Sequence, residues 1–272
     1  MRTFFTTAIV TVLSAAALTS AASQPPGQDK GKARPASTRV EWPKDKKAPE
    51  LPKPDADGFI TLFNGKDLTN WEGLDGFWSV KDGAIEGSAT KEKSKQTFLV
   101  LSASWAEPSR FADFELHFKY KFATPAGNSG LQFRSWVIDG PAYRVGGYQA
   151  DFDAAGQYDG GFYDEAGVAG GRGIMANRGF KTIWDKDNKR NNESLGLSRE
   201  ELAGAVNKGD WNSMVVTAKG NTMRIALNGK VLGELIDDIP KAVKDGVIAF
   251  QMHQGYTMTI QFKDVKIKLP TP

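Results

Sequence analysis

The feature that most constrains the fold is a series of short strand-like segments, separated by turns, from residue 58 almost to the C-terminus. The clearest is Phe114–Phe122, in which five apolar residues alternate with four polar ones. This period of two is typical of a strand with one buried face. Asn64-Gly65 and Asn228-Gly229 are strong turn dipeptides, and the second predicts a tight hairpin because both residues tolerate positive φ.

The C-terminal third reads as a meander of strands. Its apolar segments are Met214–Ala218, Met223–Leu227, Val231–Leu235, Val247–His253 and Met258–Ile267. A single helix is convincing, because Ser198 and Glu201 form a capping-box pattern ahead of Leu202. Many short strands with little helix predict an all-β fold: a two-sheet antiparallel jelly-roll sandwich with one short helix, formed by residues 57–270.

The N-terminus has the pattern of a secretory signal peptide. Met1-Arg2 is followed by the mostly apolar segment Phe4–Leu18, and small residues precede a cleavage site expected near Ala22. The apolar segment is short for a membrane span, although an uncleaved anchor is the alternative. The chain contains no cysteine, which excludes a lipoprotein anchor, disulfides and thiolate metal sites. We therefore expect a secreted or periplasmic protein with no membrane span after cleavage.

Residues 23–56 are rich in Pro and Lys, and we expect a disordered, semi-extended tether. Residues 24–56 contain 8 basic and 5 acidic residues, a net charge of +3. Subtracting these and Arg2 from the totals of 35 and 32 leaves 26 basic and 27 acidic residues, or −1 for the rest. The excess positive charge lies in the tether, so the sequence predicts no nucleic-acid partner.

Between Gly127 and Glu165, polar residues of several chemical types stand among strand-like segments, which is more than a plain sandwich requires. Strand alternation places Leu131 and Phe133 on one face and Gln132 and Arg134 on the other. This pattern favours a carbohydrate site. Its candidate substrate-binding residues are Asn128, Gln132, Gln149, Asp164, Gln251 and Trp136.

Histidines occur only at positions 117 and 253. We interpret His117 as a solvated strand residue among charges. His253 shares a face with Gln251, opposite the core face of Ile248, Phe250 and Met252, so it is either a surface histidine or part of a functional groove.

The acids of this region allow three interpretations. They could include a catalytic acid–base pair, or they could bind calcium through carboxylates and loop carbonyls; the acids are Asp151, Asp153, Asp159, Asp164 and Glu165. Ordinary solvated turns are the third interpretation, and they suit Asp153 and Asp159 best. No spacing matches an EF-hand or zinc motif, so a divalent metal stays an open alternative.

Together these motifs resemble the 3-keto-disaccharide hydrolase domain family, from about Gly58 to Leu269. The resemblance rests on the order of several short segments: Leu62–Leu68, Trp78–Gly83, Asn128–Ser135, Gly147–Asp151, Tyr163–Glu165, Asp210–Asn212 and Gln251–Gly255. Many members carry Glu where this chain has Gly147, and here the acid stands at Asp151 instead. The resemblance implies a concanavalin-A/laminin-G-like jelly roll and cleavage of 3-keto-disaccharides or 3-keto-glycosides.

Such a reaction needs a base for the acidic C2 proton, a stabiliser for the developing enolate and an acid for the leaving group. The candidates are Glu165 or Asp151 as base, Arg134 or a divalent ion as stabiliser, and His253 or Tyr163 as acid. A non-catalytic carbohydrate-binding module, a structural domain and an ordinary glycosidase with two flanking carboxylates remain as alternatives.

Overall fold

Two sheets pack face to face in the computed structural model, which describes residues 38–270. The predicted signal peptide and residues 23–37 of the predicted tether lie outside this range. In chain order the strands are β1 Ile60–Thr61, β2 Trp71–Glu72, β3 Trp78–Lys81, β4 Ala84–Ala89, β5 Thr97–Leu101, β6 Phe114–Phe122, β7 Asn128–Asp139, β8 Arg144–Asp153, β9 Gly161–Glu165, β10 Ile174–Ala176, β11 Phe180–Trp184, β12 Arg190–Ser194, β13 Asn212–Lys219, β14 Thr222–Leu227, β15 Lys230–Asp237, β16 Val247–Met252 and β17 Met258–Lys268.

The predicted two-sheet jelly-roll sandwich is confirmed. Sheet A has the order β12-β11-β15-β14-β13-β6-β17-β4-β3, with β1 paired to β17. Sheet B has the order β10-β9-β8-β7-β16-β5-β2. All pairings are antiparallel except that of β11 with β15, which is parallel. Sheet B therefore places β9, β8, β7 and β16 side by side, although β16 is distant in sequence.

The core lies between the sheets and is rich in aromatic rings. Along β6 the inward residues are buried and the alternate residues are half-buried, as the period of two predicts. Phe118 of sheet A packs against Phe250 of sheet B, with ring centroids 5.3 Å apart. Phe250 also stacks on Phe262 at 4.0 Å. The opposite, outer face of sheet B is thereby left free to carry polar groups.

Short helices connect some of the strands. The predicted capping box is confirmed in α2, Arg199–Ala203, where Ser198 and Glu201 exchange side-chain and backbone hydrogen bonds. Another helix, α1 (Ser102–Ala106), was not predicted from the sequence and is followed by a 3₁₀ turn, Pro108–Phe111. Within residues 38–270 there is no helix of the length and apolar character that a membrane span needs.

Residues 38–56 do not form a free tether, and the prediction of disorder is wrong for this segment. The backbone NH of Val40 donates to the Val137 carbonyl at 2.7 Å. Trp42 packs edge-to-face on Trp105, with centroids 5.4 Å apart. Leu51 packs against the core. A few apolar side chains in an otherwise polar, Pro-rich segment are enough to hold it on the domain.

Candidate functional site

The outer face of sheet B carries a cluster of buried polar side chains. Gln132 on β7 lies opposite Gln149 on β8, which in turn lies opposite Tyr163 on β9. Two residue pairs further along, and so on the same face, Gly130 lies opposite Asp151. Residues directly opposite each other in antiparallel strands share a face. The alternation used to assign faces in the sequence therefore brings these predicted site residues together.

Asp151 is a buried acid of this cluster. Its Oδ1 accepts hydrogen bonds from Asn128 Nδ2 at 3.2 Å and Gln149 Nε2 at 3.3 Å. Its Oδ2 accepts none from residues 38–270. Burial raises the pKa of Asp151 well above its usual range, the charges of Asp153 and Asp159 add to this rise, and the two amide bonds oppose it. When it is ionised, such a carboxylate is a stronger proton acceptor than an exposed one, which suits a general base.

The amides beneath Asp151 form a connected chain. Gln132 Nε2 donates to Gln149 Oε1 at 2.6 Å, and Ser135 Oγ donates to Gln132 Oε1 at 2.8 Å. Gly130 provides the space, since a Cβ there would lie 2.4 Å from the side chain of Gln149. The floor of the site is therefore fixed by neutral hydrogen bonds.

Glu165 reaches across the sheet toward β16. Gln251 Nε2 lies 3.3 Å from Glu165 Oε2, and Gln96 Nε2 lies 3.3 Å from Glu165 Oε1. Two strands, β7 and β8, separate β9 from β16, a distance of roughly 14 Å in a flat sheet. These two long side chains therefore meet above β7 and β8, and with the buried amides between them they define what we call the groove. Within the groove, Gln251 Oε1 is buried and has no partner among residues 38–270, so it can accept a hydrogen bond from a ligand hydroxyl.

Tyrosine side chains surround the carboxylates. Burial raises the pKa of Tyr163 to about 12, and the charges of Glu165 and Asp151 contribute. The pKa values of Tyr158 and Tyr256 are raised by burial and also by the charges of Asp153 and Asp151. These three phenols therefore keep their protons at neutral pH.

Sequence reasoning missed Gln96, Tyr158 and Tyr256. Tyr256 directly follows the segment Gln251–Gly255 that supported the family resemblance, and this position could have indicated it. Gln96 and Tyr158 stand outside the quoted motifs, and only the folding of their loops onto the groove connects them with it.

His253 lies next to the groove but in a fixed role. Its Nδ1 is 2.7 Å from the Gln254 carbonyl oxygen. A carbonyl only accepts, so Nδ1 carries the proton, and the neutral ring offers Nε2 as an acceptor. Burial lowers the pKa of His253, although the bond to Gln254 opposes this shift. A neutral imidazole in this tautomer is better suited to binding a hydroxyl than to donating a proton.

Arg134 does not share the face of Gln132, so its assignment to the groove is corrected. Its guanidinium donates to the carbonyls of Ala112 (2.8 Å) and Gly220 (2.7 Å), and to Asp113 at 3.0 Å. The register of β7 shifts between Phe133 and Ser135, and Arg134 has a φ of +43°. This bulge turns the side chain toward the β13–β14 turn. All three guanidinium nitrogens are used in structural bonds.

Asp164 and Trp136 also lie away from the groove. The carboxylate of Asp164 accepts backbone NH groups from Ala169 at 2.7 Å and Arg172 at 2.9 Å, which fixes the loop after β9. Asp164 pairs with Tyr148, whose side chain belongs to the core. Trp136 packs against the same core. Neither residue is placed to contact a ligand held by Asp151.

Asp153 and Asp159 are buried, and their interpretation as solvated turn residues is wrong. Asp153 Oδ1 accepts the backbone NH groups of Gln157 at 2.6 Å and Tyr158 at 2.9 Å. Asp159 accepts a hydrogen bond from the buried hydroxyl of Tyr120. These acids anchor the loop that carries Tyr158. Within residues 38–270, His, Asp and Glu side chains form no group of three suited to a metal ion.

The outer face of sheet A has a separate depression of about 500 Å³. It is lined by Trp211, Lys121 and Lys263, and the Lys263 ammonium lies 4.1 Å from the Trp211 ring centre. Gln261 and Glu86 bond to each other at 2.9 Å. Its acids, Asp82 and Glu86, are exposed and half-buried, whereas Asp151 is buried, so the groove on sheet B is the candidate site.

Comparison with known proteins identifies the family. Residues 58–268 match the 3-keto-alpha-glucoside-1,2-lyase-like domain, and the chain belongs to this family. No curated protein matches the chain.

Several solved structures are similar to this chain at low sequence identity. A candidate glycosyl hydrolase from Parabacteroides distasonis is 23% identical, with a TM-score of 0.48, over 79% of this chain and 95% of that one. The carbohydrate-binding module CBM66 from Bacillus subtilis is 16% identical, with a TM-score of 0.47, over 75% and 98%. A Bacillus subtilis protein of unknown function with a galectin-like fold is 11% identical, with a TM-score of 0.49, over 82% and 100%.

Proposed function

We propose that this member of the 3-keto-alpha-glucoside-1,2-lyase-like family cleaves 3-keto-glycosides and 3-keto-disaccharides outside the cytoplasm. The reaction starts with removal of the C2 proton. The single observation that carries the proposal is the Asp151 carboxylate, which is held through Oδ1 in a buried, polar groove, has a raised pKa and accepts no bond at Oδ2 from residues 38–270. The extracellular location rests on the signal-like sequence at the N-terminus.

The chemistry uses the acidity that the C3 carbonyl gives to the neighbouring C2–H. Asp151 takes this proton, and the C–H electron pair forms an enolate with negative charge on the 3-oxygen. When the carbonyl re-forms, a C1=C2 double bond appears and the C1–O bond breaks. The leaving oxygen takes a proton and departs as an alcohol or sugar. Addition of water across C1=C2 then completes net hydrolysis.

Asp151 suits the base because its ionised form is destabilised by burial. A proton that moves to Asp151 removes a charge from a poorly solvated position. An efficient base has a pKa near the working pH. Glu165 stays the second candidate for this role, since it faces the same groove and is positioned by Gln96 and Gln251.

Tyr163 is the best acid for the leaving group. It lies opposite Gln149, and both Glu165 and Asp151 act on its pKa. With a pKa of about 12 it holds a proton that it can donate to a departing alkoxide. Neutral donors, namely this hydroxyl and the amides of Asn128 and Gln149, are available for the charge on the 3-oxygen. The amide of Gln251 and the Nε2 of His253 would receive sugar hydroxyls.

The decisive experiment is turnover of a 3-keto-disaccharide by the wild-type protein, Asp151→Asn and the control Asp187→Asn, with and without EDTA. Asp187 is an exposed acid outside the groove. We expect Asp151→Asn to lower kcat by about 10²- to 10⁴-fold and the control to match the wild type. The conjugated enone from C1=C2 formation should be detected in the ultraviolet before water adds.

Full activity of Asp151→Asn in a folded protein would remove Asp151 from the role of base. If Glu165→Gln alone then abolished turnover, Glu165 would take that role. If the wild type bound the sugar without consuming it over a range of 3-keto substrates, the protein would be a carbohydrate-binding module. Loss of turnover with EDTA would add a metal ion to the mechanism.

A further inference from the structure

The polar groove continues directly into an apolar patch on the same face of sheet B. We define the patch as Phe98, Val100, Val137, Val145, Val247 and Ala249, all of which are buried. Phe98 lies opposite Gln251, and Ala249 lies opposite Gln132. Such cross-strand pairs have Cβ atoms about 5 Å apart. The patch therefore lies beside the groove on the same face of sheet B. Because its side chains are buried, another segment must cover it.

The N-terminal segment 38–46, here called the strap, is that cover. Val40 is fixed by its NH bond to the Val137 carbonyl at 2.7 Å, and its own carbonyl accepts Trp105 Nε1 at 2.8 Å. Val40 and Trp42 both pack on the patch. Both backbone bonds of Val40 therefore attach the strap to this region: one is made to Val137 of the patch, and the other to Trp105, which packs in the same cluster.

The other end of the strap is held by polar contacts. Trp42 Nε1 donates to the Lys46 carbonyl at 2.8 Å, and Lys46 Nζ pairs with Glu72 at 2.6 Å. Glu72 lies opposite Val100 of the patch. A ligand chain that continued from the groove over the patch would have to break these contacts. It would also find no polar partners for its hydroxyls among the patch side chains.

The open end of the groove has the opposite character. Tyr158 and Tyr256 are half-buried and lie near Asp151 and Asp153. Between Asn128 and Gln132, the floor along β7 is about 13 Å long at ~3.3 Å per residue. The amides of Gln132, Gln149 and Gln251 provide hydroxyl partners on the strap side, and the tyrosine rings provide stacking surfaces for a variable leaving group at the open end.

We infer that the strap is the end wall of the substrate groove and makes the protein specific for a terminal 3-keto sugar. The keto ring lies against the amides with no room for a further sugar beyond it, and the leaving group extends toward Tyr158 and Tyr256. This inference rests on the proposed function. It predicts which end of an oligosaccharide is accepted, and it assigns that selectivity to Val40 and Trp42.

The test uses two 3-keto-trisaccharides of the same linkage, one oxidised in the terminal non-reducing ring and one in the middle ring. Turnover and calorimetric binding are measured for the wild type, Trp42→Ala and a variant that lacks residues 1–46. Lys47→Ala is the matched control, because Lys47 is exposed and pairs with Glu50 just after the strap. Thermal unfolding checks that each variant is folded.

We expect the wild type and Lys47→Ala to prefer the terminally oxidised sugar by at least 10-fold. Both strap variants should reduce this preference at least 5-fold, mainly through gain of the middle-ring substrate. Equal use of both sugars by the wild type, or an unchanged preference in both folded strap variants, would overturn the inference. If the binding preference behaves as expected without turnover, the proposed function fails and the strap's role stands; if neither sugar binds, both fail.

Discussion

Replacing Asp159 by Asn should make the protein more stable at neutral pH, although Asp159 is buried and hydrogen-bonded. Burial raises its pKa from 3.8 to about 7, while the bond from Tyr120 opposes the rise. A carboxyl whose folded pKa is raised destabilises the fold as pH increases. In the unfolded chain Asp159 ionises near pH 4, whereas the folded protein holds the proton until about pH 7. Stability is therefore lost across this interval.

The size of the effect follows from the width of the interval. About three pH units at ~1.4 kcal/mol each give a loss on the order of 4 kcal/mol between pH 4 and pH 7. An amide has no such titration and can still accept the Tyr120 hydroxyl bond through its oxygen, while its NH2 group replaces the Oδ2 that accepts the Asp153 backbone NH at 3.4 Å. Loss of that long bond costs about 1 kcal/mol, so Asp159→Asn should lie about 1 kcal/mol below the wild type at pH 4 and exceed it by about 3 kcal/mol at pH 8. For a domain of this size, that corresponds to roughly 10 °C in Tm.

Urea unfolding, followed by tryptophan fluorescence at several pH values from 4 to 8, measures this difference. Asp187→Asn controls for the general loss of one negative charge. The reasoning is refuted if the stability difference between Asp159→Asn and the wild type is the same at every pH. The variant has a second expected effect, because the charge of Asp159 contributes to the raised pKa of Asp151. The rising limb of the pH–activity profile should move to lower pH.

Three further substitutions separate structural from functional roles. Arg134→Ala should lower the free energy of unfolding by about 3 kcal/mol, because it removes three hydrogen bonds. At a temperature where the variant is folded, its kcat should stay near that of the wild type. A large loss of kcat there would return Arg134 to the mechanism. Gly130→Ala should reduce kcat about 100-fold by displacing Gln149, and an unchanged kcat would argue against the amide floor. Ser198→Ala should cost about 1 kcal/mol in urea unfolding through loss of the capping box, with no effect on turnover; unchanged stability would contradict this.

The sheets could be predicted from the sequence because their residues obey simple local rules. Strand β6 has the predicted bounds, since its alternation is uninterrupted. The same rule placed Gln251 opposite the core face of Phe250 and so indicated the floor of the groove. Alternation fails at Arg134, where an extra residue in β7 and a positive φ redirect the side chain. No residue type in the segment Phe133–Ser135 signals that bulge.

The remaining differences arise from contacts between distant parts of the chain. Composition predicts disorder for residues 23–56, yet the apolar patch of sheet B supplies a surface on which Val40 and Trp42 pack. The meeting of Glu165 with Gln251 depends on the strand order of sheet B, in which β16 joins β7, β8 and β9 although it is distant in sequence. Burial of Asp153 and Asp159 likewise depends on loop closure over Tyr120. Local patterns contain none of this information.

The structural use of Arg134 and the raised pKa of Asp151 fit together chemically. The largest influences on the Asp151 carboxylate are burial, the amides of Asn128 and Gln149, and two further carboxylates; no Lys or Arg of residues 38–270 is among them. An arginine beside Asp151 would stabilise its ionised form and lower its pKa, which would weaken it as a base. Neutral donors can bind the 3-oxygen without this cost. A groove of amides and phenols therefore favours proton abstraction next to a carbonyl, and a rising pH–activity limb above the usual carboxylate range is its expected signature.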